Sequence, residues 1–541
     1  MVERFNVERQ FRRGRANSAS VEVPKLRIGF IEKRDYFDFK IDGTFSVYND
    51  LGYVILSGVS SPIQWRIRAE DRQQAKYNYN ILVGVFTKRE KAAEQEYQLL
   101  EKGIGARIQK IGGKVFIKNK LINDNSEYWV LIDQLASEDE AFEFAAVNLK
   151  NCSYKIIKEK INEPHATLKL LDNELAKIGA SENLIRIVPE SPDIVTYIYD
   201  LSSQRALLSD KTSLAMVKGP LEFRCLDDGK IVAICEIAPE DYVANVLAQH
   251  AAAQFPDEYL KALAVCVRSR MLAGLRIKHF DEPFDLCTSD HCQFFSGQWA
   301  ISKAVARAVK ETAWRTLHKK NRILDAEYLP ICGGFAESCS AFRELQEDSC
   351  PVVFDGEDKD VMKIYGDLSQ TANLKKWLIE SPQVYCNIDA LPKIQLPHYF
   401  SNYFRWSIVY DRRELEELIS LNMGKEIGVL YDIIPVRRSA SGRIQEIEIL
   451  ASDTNLIVRG EKRICETLGA ERELPSSCFI VEQNLDYEGF PLTFSFVGAG
   501  FGQGGGMCQA GALSQAFSGA SFDKILDHYF KGTKLKKVYE V

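Results

Sequence analysis

The sequence predicts an α+β fold, and three observations lead to this class. The chain has 541 residues, of which 46% are hydrophobic, so it can form two to four domains with buried cores. Short alternating apolar runs between residues 24 and 59 predict β-strands. Helical periodicity at 89–102 and 256–270 predicts helices placed between further strands, and the chain has no internal repeat.

The composition narrows the choice of partner and location. The net charge is −6 with both signs interspersed, which argues against nucleic acid or an anionic membrane as the principal partner. No apolar run approaches the roughly 20 residues of a membrane span, so we expect no transmembrane segment. Residues 1–20 lack the apolar core of a signal peptide. The thirteen scattered cysteines favour reduced thiols, and a cytoplasmic location therefore stays open.

The N-terminal part divides into three predicted segments. Residues 1–23 are polar and rich in arginine, and we expect them to be disordered. Residues 24–75 form a β segment. Residues 76–160 form a separate small domain, in which the pattern predicts strands at 79–86, 105–108 and 128–133 and helices at 89–102 and 138–149.

The order of elements in this small domain resembles that of a SPOR domain, a module that binds peptidoglycan glycan strands stripped of their stem peptides. The residues that carry the resemblance are Tyr79, Ile81, Val83, Gly84, Phe86, Gly103, Gly105 and Ala106. The alternative is a generic ferredoxin-like unit without affinity for sugars, because a fold does not define a function.

The following part predicts a hairpin and two helices. Residues 223–236 form the hairpin, which turns near Gly229. One helix begins at Pro239 and carries two carboxylates in its first turn, and a second begins at Pro256. Residues 349–395 are expected to be a peripheral excursion. Residues 427–458 and 477–489 predict further strands and turns.

Residues 500–512 form a loop with six glycines, which we call the glycine-rich loop. So much glycine costs backbone entropy and predicts close approach to a ligand or to another chain segment. No Lys-Ser or Lys-Thr pair follows it, so it is not a nucleotide-phosphate loop. A simple glycine hinge or hairpin is the alternative. The candidate binding residues within this loop are Gly502, Gly504, Met507 and Gln509.

This loop resembles the C-terminal signature of the SpoIID/LytB family, which comprises stage II sporulation protein D and the LytB amidase enhancers. The family string is Gly-x-Gly-His-Gly-x-Gly-Met-x-Gln-x-Gly-Ala, followed by Ile-Leu-x-His-Tyr-Tyr-x-Gly-Thr, which residues 525–533 match closely. The resemblance covers 185–541. It implies a SpoIID-type mixed helical and β core with the SPOR-like domain inserted, a lytic transglycosylase cleft, and a location in the cell envelope.

The family's catalytic glutamate is absent from this chain. Aligning the helices at Tyr242 and Pro256 without a gap places His250 at the glutamate position, and Gln503 replaces the motif histidine. A lytic transglycosylase needs one group that acts first as acid and then as base. Charged histidine is a cation and would not stabilise an oxocarbenium-like centre. His250 could still shuttle the proton, and other acids could replace it. The candidates for that are Glu240, Asp241 and Glu258.

The resemblance also implies substrate-binding residues. Arg268 matches the arginine of the family's second helix and could hold a substrate carboxylate or pair with a nearby acid. Residues 328–337, which we call the Gly-Gly loop, resemble the family's Tyr-x-x-x-Ser/Cys-Gly-Gly-x-Thr-Glu segment. Tyr328, Gly333 and Gly334 would contribute to the cleft floor, and a plain turn is the alternative.

A possible zinc site lies between the second helix and the Gly-Gly loop. Cys287, His291 and Cys292 lie close together in sequence, with His279 upstream, and these are the ligand types that zinc binds tetrahedrally. A similar cysteine-rich loop binds zinc in some SpoIID proteins. Four protein ligands imply a structural ion. Buried thiols or a local disulfide are the alternatives.

The sequence therefore favours a protein that binds peptidoglycan glycan strands through a catalytically degenerate transglycosylase cleft and assists a cell wall amidase or other hydrolase. One alternative is an active transglycosylase with a non-standard acid. The other is a cytoplasmic, zinc-stabilised interaction protein.

Overall fold

The computed structural model describes residues 21–22, 25–117, 119–149, 152, 154–199, 214–251, 254–289, 291–337, 352–357, 360–380, 382–388, 400, 403–469 and 474–540. The segment 1–23 that is predicted to be disordered lies outside the described residues, apart from 21–22.

The predicted β segment 24–75 contains the expected strands. With the short preceding strand, their bounds are β1 (Val21–Glu22), β2 (Leu26–Arg34), β3 (Tyr36–Ile41), β4 (Thr44–Asn49), β5 (Val54–Ser60) and β6 (Gln64–Gln73). Alternation along β3 buries Phe37 and Phe39, because successive side chains of a strand point to opposite faces.

Residues 77–160 form a βαββαβ unit with an additional hairpin inserted between its second and third strands. Its elements are β7 (Tyr77–Phe86), α1 (Arg89–Glu101), β8 (Arg107–Ile111), β9 (Lys114–Ile117), β10 (Lys120–Asp124), β11 (Glu127–Leu135), α2 (Glu138–Asn148) and β12 (Lys155–Lys160). The antiparallel strand order β12-β7-β11-β8 is ferredoxin-like, and both predicted helices are confirmed. The helices cover one face of this sheet. The other face packs against Ile277 and Phe280, and the rings of Trp129 and Phe280 are 5.3 Å apart.

The next strands complete a two-sheet sandwich with the N-terminal strands. They are β13 (His165–Leu171), β14 (Lys177–Glu182), β15 (Leu184–Pro189), β16 (Val195–Tyr199), β17 (Leu214–Lys218), β18 (Leu221–Cys225), β19 (Ile231–Ile237) and β20 (Leu286–Cys287). The sheet orders are β14-β13-β6-β3-β16-β17 and β20-β2-β19-β18-β15-β4-β5. Phe39 of one sheet packs on Phe223 of the other at 5.5 Å. The segment 24–75 and the start of the segment 185–541 therefore share one core.

The predicted helices at 239 and 256 follow this sandwich. The elements here are α3 (Pro239–Gln249), α4 (Asp257–Gly274), α5 (Lys303–Glu311), β21 (Arg315–Lys319), β22 (Arg322–Ile323) and β23 (Tyr328–Leu329). Most of α4 is buried, including Leu263 and Val267, because its sequence is apolar on nearly every side. This helix is the centre on which the later elements pack.

The segment 349–395, expected as an excursion, contributes to the main core. Its elements, with the strand before it, are β24 (Phe335–Ala336), β25 (Val353–Phe354), α6 (Val361–Tyr365) and α7 (Thr371–Glu380). Leu374, Trp377 and Cys386 are buried in the same hydrophobic cluster as α4. Its described residues thus lie within the fold rather than at its periphery.

Residues 406–498 have a second core of their own. The elements are β26 (Trp406–Asp411), α8 (Arg412–Met423), β27 (Leu430–Arg438), β28 (Ile444–Ala451), β29 (Asn455–Arg459), α9 (Glu461–Leu468), β30 (Phe479–Leu485) and β31 (Pro491–Gly498). The strands predicted within 427–458 and 477–489 are present, and α8 and α9 lie outside those two predicted ranges. The helix α8 is capped by Asp411 and by Gly424 in the left-handed conformation.

The chain returns to the main core at its C-terminal end through β32 (Met507–Cys508), α10 (Gln509–Phe517), α11 (Phe522–Tyr529) and β33 (Lys534–Lys537). β32 pairs in parallel with β23, and β33 pairs with β21. These pairings bring the glycine-rich loop beside the Gly-Gly loop, next to α4.

Candidate functional site

The glycine-rich loop lies directly against the Gly-Gly loop. Met507 stands beside Tyr328 in the β23–β32 pair. Gly506 has φ of 81°, and a side chain there would overlap the carbonyl of Glu327. The glycines therefore allow two backbone segments to approach closely, which is one of the two uses that the glycine content predicts.

The paired glycines of the Gly-Gly loop have a packing role. Gly333 and Gly334 have φ of 79° and 113°. A Cβ atom on Gly333 would lie 2.9 Å from Ala499, and one on Gly334 would overlap the ring of Trp377. Gly502 is less crowded, since its nearest neighbour would be Pro330 at 3.6 Å. The contribution of these glycines to a cleft floor stays a prediction.

His250 ends α3 and is buried. Its ring meets Tyr328 edge-on at 5.5 Å and 88°. The half-buried Tyr328 donates its hydroxyl hydrogen to Gln293 at 3.1 Å. The structure thus brings two of the predicted site residues, from different parts of the sequence, into contact.

Gln503 lies at the surface of the glycine-rich loop, whereas Met507, Cys508 and Gln509 are buried. The ring of Phe501 stacks on Tyr403 at 4.8 Å and 24°. Gln509 accepts a hydrogen bond from the Tyr259 hydroxyl at 3.1 Å. Met507 is fully buried. Gln503 is therefore the motif side chain best placed to meet a ligand.

Arg268 takes the second of its two predicted roles, pairing with an acid. It is fully buried, and its Nε and Nη2 atoms each donate to Glu240 at 2.7 Å. Its Nη1 donates to the Arg315 carbonyl at 3.2 Å. This bidentate pair ties α3 to α4 and uses the guanidinium donors that a substrate carboxylate would need.

The predicted zinc ligands converge. The four ligand atoms of His279, Cys287, His291 and Cys292, here called the loop group, lie within 4.8 Å of one another. His279 Nε2 is 3.2 Å from Cys292 Sγ and 3.3 Å from His291 Nδ1. A tetrahedral zinc ion places its nitrogen and sulfur ligands roughly 3.3–3.6 Å apart, given Zn–N and Zn–S distances of about 2.0 and 2.3 Å.

The surroundings of the loop group also suit a cation. The second ring nitrogen of His279 contacts the carboxylate of Glu282, as in carboxylate–histidine–metal arrangements. Burial lowers the pKa of His279, but hydrogen bonds with Cys287 and Glu282 outweigh it and raise the pKa to about 9. The hydrogen bond with Cys292 lowers the pKa of Cys287, so the group holds an anionic sulfur.

A second group of ligand types was not predicted. Cys332, Asp355, Cys386 and Cys508, here called the buried group, have donor atoms within 4.8 Å of one another, and all four residues are buried. They come from the Gly-Gly loop, the turn after β25, the segment 382–388 and the N-terminus of α10. No spacing in the sequence signals such a group, because its members are far apart in the chain.

The charge state of the buried group is strongly perturbed. Burial raises the pKa of Asp355 to about 8. Burial alone would raise the pKa of Cys508, but hydrogen bonds from Cys332, Cys386 and two backbone N–H groups lower it. Burial also raises the pKa values of Cys332 and Cys386, so Cys508 is the member of the group whose pKa is lowered.

An acidic network below the glycine-rich loop was also missed. A side chain on Gly504 would overlap the guanidinium of the buried Arg443, whose Nε lies 3.3 Å from Glu461. Burial raises the pKa of Glu461 to about 7. Glu337 accepts a hydrogen bond from Ser439 at 2.6 Å. A partly buried acid whose pKa is raised to about 7, as that of Glu461 is, suits proton transfer.

Comparison with known proteins supports the family resemblance for part of the chain. The stage II sporulation protein family (SpoIID) matches residues 227–318, and a domain of unknown function (DUF8618) matches residues 353–506. The first match includes α3, α4 and the loop group, and it suggests a cell wall related function and an extracytoplasmic location. The SPOR resemblance of 76–160 is not confirmed.

Individual relatives add little about activity. An uncharacterised protein of Brachyspira hyodysenteriae is 26% identical over 317 residues, which cover 59% of this chain and 71% of the relative. The crystal structure of a Burkholderia pseudomallei protein described as exported is 13% identical, with a TM-score of 0.16. That match covers 31% of this chain and 30% of that one. Within the described residues, no helix is long and apolar enough to span a membrane.

Proposed function

We propose that this chain binds the glycan strands of peptidoglycan during cell wall remodelling and does not cleave them. The observation that carries the proposal is His250, which stands where the resemblance expects the catalytic glutamate. A histidine ring is neutral or positive, so it cannot supply the negative charge that favours an oxocarbenium-like transition state. Its burial against Tyr328 further restricts access to a substrate.

The acids near His250 in sequence are poor replacements. Glu240 is held by Arg268, and it lies ten residues from His250, which is about 15 Å along α3. Asp241 lies about 14 Å away by the same measure. Glu258 pairs with Lys261 at 2.9 Å and accepts the Phe522 N–H at 2.7 Å. These contacts support a cleft that keeps its shape without its usual chemistry.

The binding surface we assign consists of Tyr328, Phe501, Gly502 and Gln503, with Tyr403 beside it. The aromatic rings can pack against the C–H bonds of a pyranose ring, because both surfaces are apolar. The Gln503 amide can donate to and accept from sugar hydroxyls without titrating.

The small domain at 77–160 is a second candidate for glycan contact. Its open sheet face is occupied by Ile277 and Phe280, so a glycan would meet the helices instead. Tyr97 on α1 is 61% exposed and offers an aromatic surface there. Retention of glycan by the variant Tyr97→Ala, compared with the unchanged chain, measures this contribution.

The main test uses purified protein and glycan strands without stem peptides. We expect co-sedimentation with the glycan and no release of anhydromuramyl products. Products that disappear on His250→Ala would overturn the proposal.

Two substitutions locate the surface. Gln503→Ala should weaken glycan binding about fivefold, the cost of one hydrogen bond. Phe501→Ala should weaken it about tenfold through lost aromatic contact. The matched control is Tyr487→Ala, which removes a 95% exposed ring beyond the far end of β31, about 26 Å away. Equal losses in the control would contradict the assigned surface.

An active enzyme with a non-standard acid is the second candidate, and Glu461 is the observation that favours it. This partly buried acid has its pKa raised to about 7 and lies beside Arg443, under Gly504. Glycan cleavage that is abolished by Glu461→Gln would establish the active alternative. Glu240→Gln, Asp241→Asn and Glu258→Gln test the other acids in the same assay.

The loop group is proposed to hold one structural zinc ion. Its four protein ligands leave no position for an activated water. The ion would therefore stabilise the loop that follows α4. Elemental analysis of the protein and of Cys292→Ser measures this ion. Cell fractionation separates an envelope protein from a cytoplasmic interaction protein.

The proposed partner is a cell wall amidase, as the LytB resemblance implies. Adding the chain to an amidase acting on purified sacculi should increase the rate of peptide release. An unchanged rate would limit the proposal to glycan binding.

A further inference from the structure

The buried group joins four chain segments at one point. Cys332 Sγ is 3.7 Å from Cys386 Sγ and 3.3 Å from Asp355 Oδ2, and the ligand atom of Cys508 lies within the same 4.8 Å limit. The four side chains belong to residues separated by up to 176 positions in the chain. A carboxyl group in an apolar core is costly unless it is paired, and Asp355 lies among three thiols there.

We propose that Cys332, Asp355, Cys386 and Cys508 bind a single divalent metal ion of the zinc type, in a site separate from the loop group. The proposal depends on geometry and donor chemistry alone and does not require the proposed glycan function. Thiolates with one carboxylate form a ligand set that suits zinc or another soft to borderline ion.

The distances match one tetrahedral ion. With Zn–S near 2.3 Å and Zn–O near 2.0–2.2 Å, two sulfurs stand about 3.8 Å apart and a sulfur and an oxygen about 3.5 Å apart. The observed separations of 3.7 and 3.3 Å are close to both values. A [4Fe–4S] cluster binds each thiolate at a different iron atom and would spread the sulfurs further apart.

The surroundings orient each donor toward the common centre. Tyr529 donates its hydroxyl hydrogen to Asp355 Oδ1 at 2.5 Å, which leaves Oδ2 facing the sulfurs. Gln515 in turn donates to the Tyr529 oxygen at 3.2 Å. Partners of this kind fix the orientation of metal-ligating carboxylates.

Backbone N–H groups stabilise negative charge on the sulfurs. Cys508 Sγ accepts from the N–H groups of Cys332 at 3.3 Å and Gly511 at 3.5 Å, and Cys332 Sγ accepts from Gly334 at 3.4 Å. Cys508 is also the N-cap of α10, where the helix dipole favours a thiolate. A metal ligand must be a thiolate rather than a thiol, so these contacts prepare the group for an ion.

The bound ion would connect both glycine loops to the segment 353–388. Cys332 precedes Gly333 directly, and Cys508 is the last residue of β32, within the glycine-rich loop. A side chain at Gly511 would overlap Asp355, so the glycine permits the approach of this ligand. The ion would thereby hold the Gly-Gly loop and the glycine-rich loop in their paired arrangement.

The experiment measures metal content in chains purified without chelators under reducing conditions. Zinc by elemental analysis should amount to about two ions per wild-type chain, one for each group. Cys386→Ser should reduce this to about one, and so should Cys292→Ser in the loop group. The matched control Cys478→Ser removes a buried thiol outside both groups and should retain about two.

Cobalt replacement reads the geometry directly. In the Cys292→Ser variant, bound Co²⁺ should give intense visible absorption typical of tetrahedral sites, with thiolate-to-cobalt bands in the near ultraviolet. Adding Cys386→Ser should abolish both signals. Thermal unfolding of every variant identifies chains that fail to fold. Native mass spectrometry of the wild-type chain gives the number of bound metal ions without any variant.

Three outcomes would overturn the proposal. In the first, the wild-type chain is folded but loses all its metal on Cys292→Ser. In the second, Cys386→Ser leaves the metal content unchanged. In the third, alkylation under non-reducing conditions finds a Cys332–Cys386 disulfide in metal-free protein. Glycan binding is measured separately, so failure here and failure of the proposed function can be distinguished.

Discussion

The loop group and the buried group contain similar ligand atoms, but they are assembled in different ways. All four residues of the loop group fall within 279–292, and His291 is exposed. The buried group is drawn from 332–508 and lies wholly inside the main core. The loop group can form when one short loop closes. The buried group can form only in the folded chain, because bringing its members together closes long loops, and the entropic cost of closure grows with loop length.

The largest expected effect comes from removing a ligand of the buried group. Cys508→Ser should lower the free energy of unfolding by about 4 kcal/mol or more, since it removes a metal ligand and leaves Asp355 buried without a cation. Thermal and denaturant unfolding measure this. The matched control is Cys266→Ser, a buried thiol on α4 where the new hydroxyl can bond to a carbonyl of its own helix. Equal losses of unfolding free energy in Cys508→Ser and Cys266→Ser would show that a thiol of the buried group contributes no more to stability than another buried thiol.

A slightly smaller loss of unfolding free energy is expected from a substitution in the glycine-rich loop, which contains Cys508. Gly506→Ala should cost about 3 kcal/mol, because the residue has φ of 81° and the new methyl group would overlap the Glu327 carbonyl. Gly519→Ala has a similar φ of 87° with no neighbouring atom in reach, so it should cost only about 1 kcal/mol. Both losses of stability are measured as the shift in the denaturant midpoint. Identical shifts for the two variants would show that the overlap with the Glu327 carbonyl plays no part.

The two groups should also release metal at different rates. A chromogenic chelator reaches the loop group through the exposed His291, whereas the buried group opens only when the core opens. We expect a fast phase and a second phase at least about 100-fold slower. His291→Ala should remove the fast phase alone. A single phase for both ions would contradict the contrast in accessibility.

His318 lies outside both groups, and its protonation should make the stability of the chain depend on pH. Burial lowers the pKa of His318 to about 4, and Lys536 adds to the effect. The stability that depends on neutral His318 is therefore fully present above the unfolded pKa of about 6.5 and is lost as pH falls toward 4, by about 3 kcal/mol. His318→Gln should flatten this part of the stability curve while the metal content of both groups stays unchanged. A slope that persists in the variant would assign the acid sensitivity to the metal ligands.

Much of the local structure could be predicted from the sequence. The helices at Arg89–Glu101 and Asp257–Gly274 follow from apolar periodicity, and the second from the proline before its first turn. The helices α8 and α9 were not predicted, and they lie on either side of the predicted strand segment 427–458. The hairpin formed by β9 and β10 was missed because both strands are very short.

The site was predicted in part. His250 and Tyr328 were named from separate motifs, and their contact follows from the packing of α3 beside β23. Arg268 was named as a binding residue or as the partner of an acid, and only the relative position of α3 and α4 decides in favour of Glu240. Glu461 and Arg443 carry no motif, so their pairing under Gly504 could not be predicted.

The sequence by itself predicted the loop group and the two glycine loops, and it placed His250 where the family resemblance expects a glutamate, because each of these depends on residues that are neighbours in the chain. The tertiary structure alone decided that the strands of 24–75 share a sandwich with those after 184, and that Cys332, Asp355, Cys386 and Cys508 meet. The physical reason is that hydrogen-bonded strand pairs and buried ligand groups join residues far apart in sequence, and spacing along the chain carries no signal for such contacts.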